Sequence, residues 1–394
     1  MYLWRKIEAV DVVKIADIEI GDYPLLLAPM EDVSDPPFRV LCKELGADVV
    51  YTEFISSEGL IRLADKSVQK LDIYPEERPV GIQIFGHDLE SMQMTARIVE
   101  EAEPEILDIN YGCPVKKVTC KGAGAGILRD IPKMVRLTKE VVDATHLPVT
   151  VKTRLGWDQH AIKIQEVALR LQDVGIKALS IHGRTRKQMY KGQADWSFIG
   201  EVADHPDIEI PIFGNGDVDS PEKAQLMKDS FPNVSGIMIG RGSIGNPWIF
   251  QQIKYYLKTG NLLPEPSLQE KVSVCRRHLM MSVTWKGEIV ALREMRRHYP
   301  AYFRGLPNFK ALRMKLVTSD DLEEVLGTLD YIEHAYDPYA KVSEASPMKK
   351  KGLRRATDSG YAIRSNGAVG EKLKLKEKNL GLVKAKPMID TCKV

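Results

Sequence analysis

The sequence predicts an α/β fold, a (β/α)8 TIM barrel followed by a small all-helical domain. Three observations lead to this prediction. Eight short apolar runs occur within the first 240 residues, and amphipathic segments with apolar residues at helical spacing separate them. The strand-like pattern stops after Gly245. Eight strand–helix repeats in about 240 residues match the usual size of this barrel.

Each apolar run is predicted to form one buried strand of the barrel. The runs cover residues 25–30, 49–54, 80–85, 106–110, 149–154, 178–182, 211–215 and 236–240. Residues 91–101, 132–144 and 162–175 are examples of the helices between them. A doubly wound sheet also alternates strands and helices, but it usually has fewer strands and often a glycine-rich turn after the first. The first run here ends Ala28-Pro29-Met30, without glycine, which favours the barrel.

Beyond the barrel, we expect three regions: the barrel over 1–245, a helical domain over 246–335, and a basic, disordered tail over 336–394. Helices are predicted at 246–258, 267–285, 289–304, 308–317 and 320–335. Ser267 to Glu270 has the spacing of a capping box that opens the long helix. Pro300 is expected to kink or divide the helix that contains it.

Positive charge is concentrated in two places. Residues 267–318 hold 11 Lys and Arg against three Glu, and residues 336–394 hold 14 basic against six acidic residues, so each segment carries +8. The helical patch suggests a polyanionic partner. The tail is either a solvated segment or a basic arm that touches RNA, and the sequence leaves this choice open.

Several classes of protein are excluded or disfavoured. No apolar run reaches the roughly 18 to 20 residues of a membrane helix, and the first residues lack the apolar core of a signal peptide. The five cysteines are scattered, without the spacing of a zinc site. We therefore expect a cytoplasmic, monomeric protein with no membrane partner and no metal.

The residues that carry chemistry stand at the carboxyl ends of the predicted strands, where this fold builds its active sites. The fourth run ends Asn110-Tyr111-Gly112-Cys113-Pro114. Because Pro114 disfavours a helical backbone at Cys113, the thiol sits on a turn. There it can act as a general acid. An inert buried thiol is the alternative for Cys113, and Cys120 is the competing candidate for the acid.

Two glycine-rich turns, 214–217 and 240–242, follow the seventh and eighth runs. Loops at these positions commonly bind phosphate in this fold. Lys152 alternates with valines inside a strand and needs a partner, either a carboxylate or the edge of a flavin ring. Gln83 and Asn110 can hydrogen-bond the other polar edge of such a ring. His182 is either a buried, satisfied histidine or a ligand of the site.

These motifs together resemble the tRNA-dihydrouridine synthase family, most closely its bacterial B-type members. The matching segments are 29–30, 108–118, 151–157, 181–185, 214–217 and 239–242, within a resemblance from about 25 to about 335. The resemblance implies an FMN-binding catalytic barrel and a helical tRNA-binding domain. It also implies that NADPH reduces FMN and that hydride passes from flavin N5 to C6 of a specific uridine. Cys113 then protonates C5, giving 5,6-dihydrouridine.

The resemblance assigns roles residue by residue. Cys113 is expected to be catalytic. The expected cofactor-binding residues are Pro29, Met30, Glu31, Gln83, Lys152, His182, Asn215, Gly216, Asp217, Gly240 and Arg241. The expected substrate-binding residues are Asn110, Arg184, Arg293, Arg296 and Arg297. Glu31 departs from the family, which usually has a small residue there. Since a carboxylate disfavours an anionic reduced flavin, we expect Glu31 to point elsewhere and Met30 to make the contact through its backbone.

Two other functions are compatible with parts of this pattern. An FMN barrel that acts on a free pyrimidine, such as a dihydroorotate dehydrogenase, would not need the basic helical patch. A non-catalytic RNA-binding protein that has kept a barrel would have little use for Cys113, Lys152 and two phosphate loops. Flavin colour, followed by activity on tRNA against activity on free uracil or orotate, separates the three functions.

Overall fold

The computed structural model describes residues 12–337, and the predicted tail lies outside this range except for its first two residues. Eight parallel strands form the centre of the fold. They are β1 (Leu25–Leu27), β2 (Val49–Tyr51), β3 (Val80–Phe85), β4 (Ile106–Asn110), β5 (Val149–Arg154), β6 (Ala178–His182), β7 (Ile212–Asn215) and β8 (Gly236–Ile239). Each lies within one of the predicted runs, so the strand predictions are confirmed.

The eight strands close into a barrel. Every strand pairs in parallel with its neighbours in chain order, and β1 closes the ring by pairing with β8, with Leu25 opposite Ile237. A short strand, Ile55–Ser56, adds a further pairing to β3, and an antiparallel hairpin of Lys14–Ile15 and Ile18–Glu19 precedes β1. The predicted (β/α)8 barrel is therefore confirmed.

The interior of the barrel changes from apolar to polar along the strands. Alternate residues of each strand face inward. A buried cluster that includes Leu26, Val49, Ile106, Ala178 and Phe213 forms the apolar part. Further along the strands the register places polar residues side by side. In one layer of the barrel, Asp108 lies between Gln83 and Thr150 on the neighbouring strands. In the next layer, two residues further along the strands, Lys152 lies between Asn110 and Ser180. The polar layers mark the carboxyl end of the barrel as the site of chemistry.

Helices follow the strands around the barrel. The main ones are Pro36–Glu44, Leu89–Glu100, Ile131–Ala144, Ile164–Asp173, Ser197–Ala203, Pro221–Ser230 and Ile249–Thr259. Shorter helices are Ser57–Leu60, Asp65–Gln69 and Lys116–Thr119, and 3-10 turns are Pro75–Glu77, Gly124–Arg129 and Arg241–Ser243. The side chains of Asp35, Asp88, Asp130 and Ser220 cap four of the helices by accepting a backbone N–H. Such caps satisfy donors that the first helical turn leaves free.

The chain divides into two compact units, and their boundary differs from the predicted one. The barrel unit keeps residues 247–263, whereas the second unit holds residues 244–246 and 264–337 of the described chain. We expected the helical domain to begin at 246. The reason for the difference is that Ile249–Thr259 is the helix that follows β8, so it completes the barrel, with Ile249, Phe250 and Ile253 buried.

The second unit is helical, as expected. Its helices are Leu268–Lys286, Glu288–Met295, Tyr299–Tyr302, Lys310–Thr318 and Leu322–His334. Ser267 caps the first helix by accepting the N–H of Glu270. The helix predicted over 289–304 is divided before Pro300, which stands in the first turn of Tyr299–Tyr302. None of the helices within residues 12–337 combines the length and the apolar character that a membrane span requires.

Candidate active site

The thiol of Cys113 lies at the carboxyl end of the barrel, three residues after β4. The residue is 7% exposed, so most of it is shielded from solvent. The chain leaves Cys113, forms the helix Lys116–Thr119, and returns, because the N–H of Ala125 donates to the carbonyl oxygen of Cys113 at 3.0 Å. Burial raises the pKa of the thiol above its ordinary value. The thiol therefore keeps its proton at neutral pH.

A chain of hydrogen bonds through the barrel interior orients the turn that carries Cys113. Thr150 Oγ1 donates to Asp108 Oδ1 at 2.6 Å, and Gln83 Nε2 donates to Asp108 Oδ2 at 2.6 Å. Asn110 Nδ2 donates to Gln83 Oε1 at 2.8 Å. Asn110 Oδ1 then accepts the N–H of Gly112 and of Cys113. Asn110 was expected from the sequence to bind substrate. Its side-chain carbonyl oxygen is already hydrogen-bonded to the Cys113 turn.

Arg154 fixes the same turn from the neighbouring strand, a role that the sequence did not reveal. Its Nε donates to the carbonyl oxygen of Gly112 at 2.7 Å, and its Nη1 donates to Thr185 and Met189. Burial lowers the pKa of Arg154 to about 10, which leaves it charged at neutral pH. Arg154 faces inward two residues after Lys152, and this alternation was the only signal in the sequence.

The ammonium group of Lys152 has no hydrogen-bond or ion-pair partner among residues 12–337. Other buried cations of the barrel have partners: Arg39 and Arg184 form ion pairs with Glu77 and Asp217, and Arg154 donates to backbone carbonyl groups. Burial, followed by the nearby charge of Arg154, lowers the pKa of Lys152 to about 8. An unpaired cation inside a barrel mouth is costly unless an acceptor meets it. Lys152 therefore marks a place for an electron-rich group of a ligand.

His182, Arg184 and Asp217 form one cluster at the ends of β6 and β7. Arg184 is 2% exposed and its two Nη atoms contact the two carboxylate oxygens of Asp217 at 2.8 and 2.7 Å. Its remaining donors reach Lys191 and Gly192 carbonyl oxygens. Arg184 was expected to bind substrate and Asp217 to bind cofactor. In the structure each holds the other and the loop over 191–194, and their roles toward substrate and cofactor stay predictions.

The imidazole of His182 is neutral at neutral pH. Burial, and then the charges of Arg154 and Lys152, lowers its pKa well below the ordinary value. Its Nε2 lies 3.4 Å from Arg184 Nη1. Because a guanidinium only donates, Nε2 accepts and the proton is on Nδ1. His182 therefore presents a neutral ring to the barrel mouth.

The two glycine-rich turns serve packing within the protein as well as access for a ligand. A side chain at Gly216 would meet Ala194 Cβ at 2.6 Å, and one at Gly242 would meet the Val218 carbonyl oxygen at 2.8 Å. Gly240 is more open, since a Cβ there would meet only Ala28 and Met30, at 3.5 Å. The turn at 240 thus remains the better place for close approach of a ligand.

Other expected cofactor residues line the same end of the barrel. Met30 directly follows Pro29 after β1, and its sulfur lies near Gly240. Asn215 Nδ2 donates to the Met238 carbonyl oxygen at 2.7 Å, which ties β7 to β8. Arg241 is exposed and donates to Asp217 at 3.0 Å. These residues form a partly polar floor between the first and the last strands.

Glu31 forms an ion pair with a lysine next to this floor. Its carboxylate is exposed and accepts a hydrogen bond from Lys70 Nζ at 2.6 Å. The same lysine approaches the buried Glu53 at 3.6 Å. Burial raises the pKa of Glu53 to about 7, against the opposing charge of Lys70. Glu31 thus lies in an acidic cluster with the buried Glu53, and its charge is among those that raise the pKa of the Cys113 thiol. Its role toward the cofactor stays a prediction.

Three arginines expected to bind substrate lie in the helical unit. Arg293 and Arg296 are paired with Asp320, at 3.2 and 2.7 Å, and Arg296 also donates to two backbone carbonyl groups. Arg297 is exposed. A further set of exposed cations has no hydrogen-bond or ion-pair partner among the described residues. We call this set the helical basic face: Arg304, Lys310, Arg313 and Lys315.

Comparison with known proteins gives a consistent result. The family described as Dihydrouridine synthase (Dus) matches residues 26–337. The chain is 38% identical to tRNA-dihydrouridine synthase B of Pseudomonas putida over 310 residues, covering 78% of this chain and 91% of that protein. It is 37% identical to the tRNA-dihydrouridine synthase B of Xanthomonas campestris, covering 80% of this chain and 96% of that protein. The similarity therefore includes both units.

Proposed function

The chain belongs to the dihydrouridine synthase family, and from that premise we propose that it reduces a specific uridine of tRNA to 5,6-dihydrouridine with FMN and NADPH. The observation that carries this proposal is the placement of Cys113. A protonated thiol stands at the carboxyl end of the barrel, on a turn fixed from two sides by Asn110 and Arg154. A group held in this way can give a proton repeatedly to one position of a bound substrate.

The residues at the barrel mouth fit a bound flavin mononucleotide. The fit can be judged at the ammonium group of Lys152, which lies inside the barrel and has no partner among the described residues. The carbonyl-rich edge of a flavin ring, which gains negative charge on reduction, would supply that partner. The open turn at Gly240 and the exposed Arg241 suit the phosphate end. When bound, FMN supplies the hydride that uridine C6 receives.

The proton comes from the protein. Addition of hydride at C6 of a uracil leaves negative charge delocalised between C5 and the C4 carbonyl oxygen, so C5 must then accept a proton. Cys113 is the donor in this proposal. Burial keeps the pKa of its thiol above the ordinary value, so the proton is present before the reaction. Arg154 and Lys152, the nearby cations, favour the thiolate that is left afterwards.

The neutral His182 and the buried amide network complete the proposed site. His182 offers a hydrogen bond without adding charge. Gln83 is held by Asp108 and Asn110, so its amide has one fixed orientation. Fixed polar groups of this kind lose little free energy to reorganisation during a reaction. The barrel thus supplies orientation, a proton and positive charge, whereas the redox chemistry belongs to the cofactor.

The helical unit is proposed to bind the tRNA backbone through the helical basic face. Its four cations are exposed and unpaired among the described residues, whereas Arg293 and Arg296 are already engaged by Asp320. An unpaired cation contributes more binding free energy to a phosphate contact than a paired cation does, because no existing ion pair has to break first. A target base must leave its stack to reach a barrel mouth, and tRNA loops make this easier than a duplex does.

The experiment that tests this function uses the purified full-length protein. Its absorbance spectrum should show bound flavin. Incubation with NADPH and tRNA that lacks dihydrouridine should produce dihydrouridine, measured by mass spectrometry of the digested tRNA, with no product from free uridine or orotate. If the reduced protein turns over a free pyrimidine but not tRNA, the proposed tRNA substrate is rejected. A colourless protein that takes up no added FMN would reject the enzyme.

A further inference from the structure

The segment that follows Cys113 carries a run of positive charge that the proposed mechanism does not use. Between residues 114 and 129 the chain has Lys116, Lys117, Lys121 and Arg129 and no acidic residue. We call these four cations the cationic lip. All four are exposed, and none has a hydrogen-bond or ion-pair partner within residues 12–337. The lip therefore has charge to offer to a partner outside the protein.

The cationic lip borders the proposed catalytic thiol. The N–H of Ala125 bonds to the carbonyl oxygen of Cys113 at 3.0 Å, and a Cβ on Gly124 would lie 3.1 Å from the Cβ of Cys113. The segment thus starts next to Cys113 and returns to it at Gly124 and Ala125. A ligand chain that places a base beside this thiol has its neighbouring residues close to the lip.

One member of the lip is ordered by an aromatic side chain. The guanidinium carbon of Arg129 lies 3.6 Å from the centre of the Trp157 ring, and that of Arg186 lies 4.7 Å from the same centre. Arg186 in turn donates to Thr119 Oγ1 at 3.1 Å. Trp157 thereby joins the loop after β5 to the segment after β4. Stacking on the ring leaves the N–H groups at the edge of Arg129 free to donate.

We propose that the cationic lip is a second RNA-binding surface, on the barrel unit, which takes the phosphates of the nucleotides that flank the target uridine. Arg129 is its oriented contact and Trp157 positions it. This proposal rests on the proposed function, since it assumes a tRNA substrate. Charge complementarity carries it: four unpaired cations without an acidic neighbour in the segment match a polyanion, and a forked guanidinium matches a phosphate.

The test measures tRNA binding by the FMN-loaded protein at several salt concentrations. Lys116→Ala with Lys117→Ala should weaken binding about tenfold and reduce the salt slope by about 1 to 2. The matched control is Arg97→Ala with Lys177→Ala. These cations are also exposed and unpaired among the described residues, but Lys177 immediately precedes β6 and Arg97 lies in the last turn of Leu89–Glu100. The control should change affinity less than about twofold.

Variants of the Arg129 contact separate orientation from charge. Arg129→Lys keeps the charge but loses the fork, so it should weaken binding by several-fold. Trp157→Leu should do the same, and adding Arg129→Ala to Trp157→Leu should cost less than Arg129→Ala costs alone. Flavin absorbance per protein checks that the site has folded in each variant. If Trp157→Leu loses flavin, the exposed Arg129 variants alone decide the role of the contact.

The outcomes distinguish this inference from the proposed function. If the unaltered protein makes dihydrouridine but the lysine variants keep its affinity and salt slope, the lip serves another partner, such as an acidic protein surface. The inference is then overturned while the proposed function stands. Equal losses in the lip variants and the control would also overturn it. If the unaltered protein neither binds nor reduces tRNA, both proposals fail.

Discussion

The side chain of Asn110 holds the backbone of Cys113: its Oδ1 accepts the N–H of Cys113 at 2.8 Å and that of Gly112 at 2.9 Å. The two residues are only three positions apart, yet the bond depends on a network that spans three strands. Gln83 and Asp108 set the orientation of the Asn110 amide. The position of the thiol is therefore a property of the barrel and not of the turn alone.

Replacement of Cys113 should separate cofactor binding from catalysis. We expect Cys113→Ala to keep its FMN and to slow tRNA reduction by about 100- to 10,000-fold, the usual contribution of a general acid. The measurement is dihydrouridine formed per turnover, with flavin absorbance as the check on folding. Cys120, the competing candidate, is disulfide-bonded and has no proton to give, so Cys275→Ala, a free cysteine of the helical unit, is the control. Normal turnover in Cys113→Ala would remove the acid role from Cys113.

Removal of the Asn110 side chain should loosen the Cys113 turn. Asn110→Ala deletes the acceptor of two N–H groups, at a cost of about 2 to 3 kcal/mol. We expect tRNA reduction by pre-reduced protein to slow about 30- to 160-fold, and iodoacetamide to alkylate Cys113 faster. Asn233→Ala, an exposed asparagine bonded to Asp204, provides the control. Unchanged alkylation together with unchanged reduction would show that Arg154 alone holds the turn.

Lys152 should make FMN binding dependent on pH. In the flavin-free protein its pKa is lowered to about 8 by burial, so the ammonium is present below that pH and is lost as pH rises through it. FMN affinity, measured by flavin fluorescence, should therefore fall as pH increases through about 8. Lys152→Met should bind FMN more weakly and without this pH dependence, whereas Lys177→Met should behave like the unaltered protein. A pH dependence that survives in Lys152→Met belongs to another group.

Charge in the helical unit should matter according to whether it is paired. Lys310→Ala with Arg313→Ala removes two unpaired cations of the helical basic face and should weaken tRNA binding about tenfold, with a smaller salt slope. Arg293→Ala with Arg296→Ala removes two cations that Asp320 already neutralises in part, so its effect should be smaller. The reverse order of effects would place the RNA surface at Arg293 and Arg296 instead.

The buried ion pair of Arg39 and Glu77 should be the main electrostatic support of the loop after β1. Arg39 also donates to the Ser34 carbonyl oxygen, and Ser34 bonds to Met30. Arg39→Ala leaves Glu77 buried without its partner and should lower the free energy of unfolding by about 3 to 5 kcal/mol. Arg62→Ala, which breaks the more exposed pair with Glu58, should cost less than about 1 kcal/mol. Denaturant unfolding measures both.

The sequence by itself determined the barrel, the order of its strands and the residues at the strand ends. Strands β3, β4, β5 and β6 have the predicted bounds, because a buried strand appears in sequence as a continuous apolar run closed by polar residues. The position of Cys113 after β4 followed from the same local pattern. These features depend on residues that are close together along the chain, so the sequence alone shows them.

Tertiary structure alone decided which polar groups meet. Arg184 and Asp217 are 33 positions apart and engage each other, and Arg154 reaches Gly112 across 42 positions. Strand-end position did not predict either contact. The helix Ile249–Thr259 belongs to the barrel because it closes the last strand–helix repeat, although its amphipathic pattern matches that of the helices beyond it. Long-range pairing depends on distances that exist only after the barrel has closed, and local periodicity carries no record of them.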